Sequence, residues 1–226
     1  MNIGRVVLGI VAVGGLLLLA PVSGVTADAE PVIVALGDSL TAGYGLATHE
    51  AYPALLEARL RREGYRYLVV NAGVSGDTSA GGLRRIEWVL RAKPEIAIVA
   101  LGANDGLRGL NVPAMRENLE RIVKRLRSSG ARVLLAGMRV PPNYGEDYAL
   151  EFAQAFPAVA RRTKVALMPF LLDGVAANPR LNQADGIHPN AEGQQVIADH
   201  LWPHLAPLFK KKEVTAPVAD PRSRQR

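Results

Sequence analysis

The chain has 226 residues, with 27 Lys and Arg against 21 Asp and Glu, no cysteine, and 5% aromatic residues. The absence of cysteine excludes disulfides, thiolate chemistry and a lipid anchor on cysteine. The net charge of +6 is concentrated in residues 210–226, which hold six basic and two acidic side chains, and the nearly neutral remainder is a poor match to a nucleic-acid-binding surface.

Residues 1–29 have the parts of a secretory signal peptide. Arg5 precedes an apolar run from Val6 to Ala20, and Ala27-Asp28-Ala29 places small residues where signal peptidase reads them. The sequence therefore predicts cleavage after Ala29 and export to the periplasm or the medium. An uncleaved membrane anchor is the alternative, because the stretch from Val6 to Ala27 carries no charge.

Residues 30–209 are predicted to form one α/β domain. Short runs rich in Val, Ile, Leu and Ala recur at intervals of about thirty residues, and their continuous apolar character is typical of parallel strands that are covered on both faces. The predicted strands are Val32–Leu36, Tyr67–Asn71, Ile96–Leu101, Arg132–Gly137 and Val165–Phe170.

Helix-like segments separate these strands. The clearest is "NVPAMRENLERIVKRLRSSG", in which apolar residues fall at helical spacing, Pro113 suits the first turn and Gly130 the C-terminal cap. The other predicted helices are Ala51–Arg62, Gly82–Ala92, Asp147–Arg162 and Ala191–Leu208. Strict alternation of strand and helix predicts a three-layer α/β/α sandwich around a doubly wound parallel sheet.

Ligands of such sheets bind beyond the carboxyl ends of the strands. Four polar, glycine-rich loops are expected there, and they read "GDSLTAGYG", "NAGVSGDTSAGG", "GANDGLRG" and "NQADGIHPNAEG". These loops hold each group that hydrolysis of an ester requires. Ser39 is the candidate nucleophile, His188 the candidate base and Asp185 its candidate partner, since a turn at Gly186 would bring the carboxylate to the imidazole.

Donors for a developing oxyanion are also available in these loops. The candidates are the backbone N–H of Ser39, the backbone N–H of Gly76 and the side-chain amide of Asn104. Glycine at position 76 would let the backbone approach a ligand without an intervening Cβ. Tyr44, Tyr144 and Met138 are candidates for the wall of an acyl groove or for packing in the core or a lid.

The longer motifs "GDSLTAGYG", "VSGDTS", "GANDGLRG", "PPNYG" and "DGIHPN" resemble the GDSL or SGNH hydrolases, in the branch of thioesterase I, lysophospholipase L1 and arylesterase. The resemblance covers about Val32 to Leu208. It implies a flavodoxin-like sheet of five parallel strands in the order 2-1-3-4-5. It also implies a Ser39–His188–Asp185 triad, with Gly76 and Asn104 as oxyanion donors. No G-x-S-x-G motif occurs, which argues against an α/β-hydrolase.

The sequence thus favours an exported serine esterase that hydrolyses aryl esters, lysophospholipids or thioesters through an acyl-enzyme. A flavodoxin-like module that binds flavin or an anion without catalysis is the alternative from another class, and an esterase of acetylated glycans is a third. No metal is expected, because His200 and His204 are separated by Pro203 and no Glu completes a metalloprotease motif. No cofactor is expected either, because neither a G-x-x-x-x-G-K nor a G-x-G-x-x-G motif occurs.

The expected partner is a small-molecule ester, and the expected state is a monomer that does not bind nucleic acid. The basic segment 210–226 is expected to be disordered and to offer at most a peripheral contact with anionic membrane surfaces.

Overall fold

The computed structural model describes residues 29–209. The predicted signal segment, except Ala29, and the predicted basic tail of residues 210–226 lie outside the described residues. Among residues 29–209, no helix has both the length and the apolar character needed to cross a bilayer.

The sheet consists of five parallel strands in the order β2-β1-β3-β4-β5, as the resemblance implies. The strands are β1 (Val32–Gly37), β2 (Leu68–Gly73), β3 (Ile96–Ala100), β4 (Arg132–Ala136) and β5 (Ala166–Met168). The central strands β1 and β3 are almost wholly buried, which explains their continuous apolar sequences. Their parallel register places the carboxyl ends of β1, β2 and β3 at one edge, where the polar loops therefore meet.

Helices cover both faces of this sheet. They are α1 (Ser39–Ala42), α2 (Tyr52–Arg62), α3 (Ser79–Arg84), α4 (Ile86–Leu90), α5 (Ala103–Leu107), α6 (Val112–Ser128), α7 (Glu146–Thr163) and α8 (Ala191–Leu205). Short 3₁₀ turns span Thr48–Glu50, Pro142–Tyr144 and Ala206–Leu208. Helix α2 packs against α8, and α6 packs against α3, α4 and α7. The predicted three-layer architecture is confirmed.

Helix α6 shows how the sequence determines an element here. The side chain of Asn111 accepts a hydrogen bond from the Ala114 N–H at 2.9 Å and caps the first turn. At the other end, Gly130 follows the C-cap residue Ser129 and takes a φ of 94°, which lets the chain leave the helix. The apolar positions that define the helical period are all buried: Met115, Leu119, Ile122, Val123 and Leu126. Burial of this stripe against the sheet stabilises the helix more than its intrinsic propensity does.

Three predicted elements differ from the structure, and one of them is the last helix, which is α-helical only to Leu205 and continues as a 3₁₀ turn over Ala206–Leu208. The single helix predicted over Gly82–Ala92 is two helices, α3 and α4, which are separated at Arg85 (φ −100°, ψ 10°). The side chain of Arg85 points inward and donates hydrogen bonds to backbone carbonyls of the sheet. In one continuous, solvent-exposed helix it would point outward, so the helix breaks at this residue. The last strand ends at Met168 and not at Phe170, because the pairing with β4 shifts there and the Gly137 carbonyl accepts its hydrogen bond from the Leu171 N–H at 2.9 Å.

The first and last described residues lie at the amino ends of the strands, opposite the polar loops. Glu30 accepts hydrogen bonds from Arg61 and Arg66 just before β1. The ring of Phe209 packs against Tyr65 and Tyr67, with centroids 4.7 and 5.6 Å away, directly before β2 begins. Both ends of the described chain are thus fixed at the edge remote from the candidate site.

Candidate active site

Ser39 is the first residue of the short helix α1, at the carboxyl end of β1. The carboxylate of Asp38 caps this helix by accepting a hydrogen bond from the Leu40 N–H at 3.0 Å, and Gly43 ends it in the left-handed region (φ 76°). The polar, small-residue turn after β1 is therefore a capped helical turn that presents one partly exposed hydroxyl, that of Ser39.

Buried hydrogen bonds hold α1 in place. The hydroxyl groups of Thr41 and Tyr52 lie 2.9 Å apart, and the Asn71 amide donates to the Thr41 carbonyl at 2.9 Å. The Gln194 amide donates to the Leu40 carbonyl at 3.0 Å and its oxygen accepts from the Tyr52 N–H at 2.8 Å. Since hydrogen bonds in a dry environment are costly to break, the turn that carries Ser39 is rigid.

The loop before α8 brings Asp185 and His188 together, as the sequence predicts. Gly186 has a φ of 68°, and the resulting turn lets Oδ1 of Asp185 accept hydrogen bonds from the N–H groups of Ile187 and His188 at 2.9 and 3.0 Å. The other carboxylate oxygen lies 2.6 Å from Nδ1 of His188. The ring of Tyr44 packs on the imidazole, with centroids 4.5 Å apart, so the imidazole is held both at its Nδ1 edge and on one face.

The structure joins this loop to helix α1. Nε2 of His188 lies 3.0 Å from Oγ of Ser39, although 149 positions separate the two residues in the sequence. The carboxylate at Nδ1 favours the tautomer with its proton on Nδ1, so that Nε2 accepts a hydrogen bond from the serine hydroxyl.

Two carboxylates at the site have pKa values shifted in opposite directions. The backbone N–H of His188, its ring and the N–H of Ile187 hold the pKa of Asp185 at about 2. Burial raises the pKa of Asp38 to about 6, because desolvation outweighs its hydrogen bonds to the Leu40 N–H and the Asn104 amide. Asp185 is therefore ionised at any ordinary working pH, whereas Asp38 changes its charge in mildly acidic solution.

The other two candidate oxyanion donors lie in the loop after β2, which holds Gly76, and in the short helix α5 after β3, which holds Asn104. The amide nitrogen of Asn104 donates to the Asp77 carbonyl at 3.0 Å and lies 3.4 Å from Oδ2 of Asp38. Gly76 adopts a φ of 79°, and its carbonyl accepts a hydrogen bond from Arg108 at 2.9 Å. A Cβ at this position would meet only the Arg108 side chain, at 3.7 Å, so the positive φ is the stronger reason for glycine.

A buried polar cluster behind these loops was not predicted from the sequence. Asp105, next to Asn104, accepts hydrogen bonds from the N–H and the hydroxyl of Ser79 at 2.7 and 2.6 Å. Asn118 on α6 donates to the same hydroxyl at 3.1 Å. Asp105 thus links the short helix α5 to the start of α3. The sequence indicates only that Asp105 lies within the polar motif "GANDG". That motif does not show whether the carboxylate points into the protein or stabilises a turn at the surface.

A largely apolar groove of about 490 Å³ adjoins Ser39, Asn104 and His188. Its apolar wall is formed mainly by Leu107, Met138, Val140, Phe170, Leu172 and Ile187. Met138 therefore lies where the sequence places an acyl-groove residue. Tyr44 instead packs on His188, and Tyr144 donates a hydrogen bond to the Leu107 carbonyl at 2.8 Å. Gly76 lies near the groove but is not one of its wall residues.

Metal ligation finds no support within the described part of the chain. No group of three or more His, Asp or Glu side chains there is arranged to hold an ion. His200, one of the two histidines considered for ligation, is 3.1 Å from the Asp173 carbonyl through Nδ1.

Five parallel strands in this order, with Ser, His, Asp and Asn side chains gathered at their carboxyl edge, define the SGNH type of hydrolase. The chain belongs to the GDSL-like lipase/acylhydrolase family, whose model matches residues 35–196, and it is a carboxylic ester hydrolase.

Similar proteins include an enzyme named "Esterase TesA" from Pseudomonas aeruginosa, with 45% identity over 80% of this chain and 90% of the relative. The "Thioesterase 1/protease 1/lysophospholipase L1" of Escherichia coli K12 is 39% identical over 80% of this chain and 86% of the relative. Among solved structures, the psychrotrophic esterase EstA from Pseudoalteromonas sp., inhibited by monoethylphosphonate, is similar with a TM-score of 0.75 and 36% identity, covering 79% of this chain and 98% of that one.

Proposed function

We propose that this hydrolase is an exported serine esterase that works through an acyl-enzyme formed on Ser39. The observation that carries the proposal is the hydrogen-bonded series from Asp185 through His188 to Ser39, which opens onto an apolar groove. A nucleophile, a base and a group that orients the base are the parts that covalent ester hydrolysis requires.

In the first half-reaction, Oγ of Ser39 attacks the ester carbonyl carbon while Nε2 of His188 takes the hydroxyl proton. Asp185 stabilises the imidazolium that forms, and its low pKa keeps it in the charged form needed for this role. The N–H groups of Ser39 and Gly76 and the amide of Asn104 would bind the oxyanion. Collapse of the tetrahedral intermediate breaks the ester bond, and His188 protonates the departing alcohol.

In the second half-reaction, a water molecule replaces the alcohol. His188 removes one proton from the water as its oxygen attacks the acyl carbon, and the proton then passes to Oγ of Ser39 as the acyl bond breaks. The products are a carboxylic acid and the free enzyme, so that no other reactant is needed.

The wall of the groove supports esters with an apolar acyl chain. Leu107, Met138, Phe170 and Ile187 would contact such a chain next to Ser39. We assign short to medium acyl chains to this groove, on aryl esters and lysophospholipids, with thioesters as a further substrate class. The name of the Escherichia coli relative, which includes thioesterase and lysophospholipase, supports the latter two.

Export of the enzyme is supported by the sequence of residues 1–29, which has a charged start, an apolar run and small residues before the expected cleavage point. Outside the cytoplasm the enzyme would rarely meet coenzyme A thioesters, so oxygen esters are the expected natural substrates. The basic residues after Phe209 would favour a weak, salt-sensitive contact with anionic membranes.

An organophosphonate that carries a good leaving group tests the mechanism. It should inactivate the enzyme and add one phosphonyl group to the peptide that contains Ser39, as mass spectrometry would show. Ser39→Ala should neither be labelled nor hydrolyse an aryl ester, whereas Ser128→Ala, at an exposed serine on α6, should behave as wild type. Retention of a tenth of wild-type turnover by Ser39→Ala, or labelling at another serine, would refute the assignment.

A further inference from the structure

Arg85 lies at the break between α3 and α4 and points into the protein. Its Nη1 donates to the Ala72 carbonyl at 2.8 Å, its Nη2 to the Gly37 carbonyl at 2.9 Å and its Nε to Oδ2 of Asp77 at 2.7 Å. One guanidinium thus joins the ends of two strands and the loop that follows the second.

Two of these three partners, Gly37 and Asp77, lie within two residues of a candidate catalytic group in the chain. Gly37 ends β1, and Asp38 and Ser39 follow it. Asp77 follows Gly76, and the Asp77 carbonyl accepts the hydrogen bond from the Asn104 amide. Arg85 therefore fixes the loop that holds Gly76 relative to β1, which leads into Ser39. Through the Asp77 carbonyl it also fixes the group that binds the amide of Asn104.

The ion pair is built into the structure and is not a chance surface contact. The side chains of Arg85 and Asp77 are only 18% and 11% exposed. Gly81 leaves room for the carboxylate, because a Cβ there would lie 1.6 Å from Oδ1 of Asp77. A planar fork that donates in three directions is specific to arginine, since a lysine ammonium could not reach all three acceptors from one position.

We propose that Arg85 is a positioning residue for the oxyanion hole, which sets Gly76 and Asn104 at the correct distance from Ser39. This role rests on the proposed function of Ser39 as nucleophile. Arg85 does not touch the substrate, so its loss should weaken stabilisation of the transition state and leave binding of the ground state nearly unchanged.

The test compares Arg85→Ala and Arg85→Lys with Arg84→Ala, which changes the exposed last residue of α3 directly before Arg85. Steady-state kinetics on a soluble aryl ester should show kcat lowered about 10- to 100-fold in both Arg85 variants, with KM changed less than about threefold. Arg84→Ala should match wild type. Added guanidinium ion should restore part of the lost kcat in Arg85→Ala and have no such effect on Ser39→Ala.

Circular dichroism and thermal melting would show whether Arg85→Ala is folded. If it is not, Asp77→Asn decides, since it removes the carboxylate partner at nearly constant volume and should lower kcat in the same selective way. Wild-type kcat in a folded Arg85→Ala or in Asp77→Asn, or a rise in KM with unchanged kcat, would overturn the positioning role. Neither result would affect the assignment of Ser39, which is tested separately by the activity of Ser39→Ala and by the site of phosphonyl labelling.

Discussion

At the scale of single residues, the site places two carboxylates in opposite environments. Asp185 is exposed and accepts three hydrogen bonds from its own loop, so it stays ionised. Asp38 is buried beside Ser39, so its charged form is disfavoured. The same residue type thus supplies a permanent charge in one place and a titrating group in the other, because solvation differs.

The raised pKa of Asp38 makes stability depend on pH. The folded protein keeps a proton on Asp38 up to about pH 6, whereas the unfolded chain loses it near the ordinary value of 3.8, so the free energy of unfolding falls as the pH rises through this window. Asp38→Asn should lack this fall. Between about pH 4 and pH 7, urea denaturation should show wild type losing about 2 kcal/mol more stability than the variant. Equal losses in both proteins would contradict the raised pKa.

Asn104→Ala should lower kcat by about 10²- to 10³-fold on an aryl ester, because one oxyanion donor is lost. KM should change little, since the carbonyl oxygen gains its full charge only in the transition state. The matched control is Asn118→Ala, which removes an amide that contacts Ser79 and not the groove. A variant of Asn104 with wild-type kcat would remove this residue from the oxyanion hole.

At the scale of elements, the strands and most helices could be predicted because their apolar periods match their burial. The spacing of apolar residues does not show which polar side chains point into the protein. For that reason the sequence did not predict the break at Arg85 or the hydrogen bonds of Asp105 with Ser79. A residue type that usually breaks helices can also mislead a prediction. Helices α7 and α8 continue past Pro157 and Pro203, respectively.

Much of the candidate site could be predicted from the sequence for a related reason. Parallel strands bring all their carboxyl ends to one edge, so that motifs far apart in the chain must meet there. The contact between Ser39 and His188 follows from this topology. The supporting hydrogen bonds of Thr41 and Gln194 do not, because they depend on packing between α1, α2 and α8.

The crossing of α1 over β2 requires glycine at position 73. A Cβ there would lie 2.3 Å from the backbone nitrogen of Ala42 and 2.7 Å from its Cα, and backbone cannot rotate away as a side chain can. Gly73→Ala should therefore lower the free energy of unfolding by about 1–3 kcal/mol and should also lower kcat, because α1 carries Ser39.

Gly130→Ala serves as the control for this substitution. Gly130 has open space around it but a φ of 94°, so only backbone strain of about 1–2 kcal/mol is expected, without an effect on kcat. Chemical denaturation and initial rates measure both properties. Unchanged kcat in a folded Gly73→Ala protein would show that α1 can shift without displacing the nucleophile.

At the scale of the whole molecule, helices and strands account for most of residues 29–209, and the groove is bordered by α5, by the loop after β4 and by the segment 169–190 between β5 and α8. We therefore expect soluble, monomeric esters to be cleaved without activation by an interface. Rates on aryl esters of increasing acyl length and on a triolein emulsion, below and above the solubility limit, measure this. A rate jump at the solubility limit would indicate a cover that opens on lipid, contrary to this expectation.

The anchoring of Glu30 and Phe209 at the amino ends of the strands has a practical consequence for display of the enzyme. A linker joined before Glu30 or after Phe209 would leave from the edge opposite Ser39. Tethering to a bead, an electrode or a cell surface through either linker should leave the groove facing the solution. A fusion at one end would therefore attach the tether to the same side of every copy, away from Ser39, and the immobilised enzyme should retain the KM that it has in free solution.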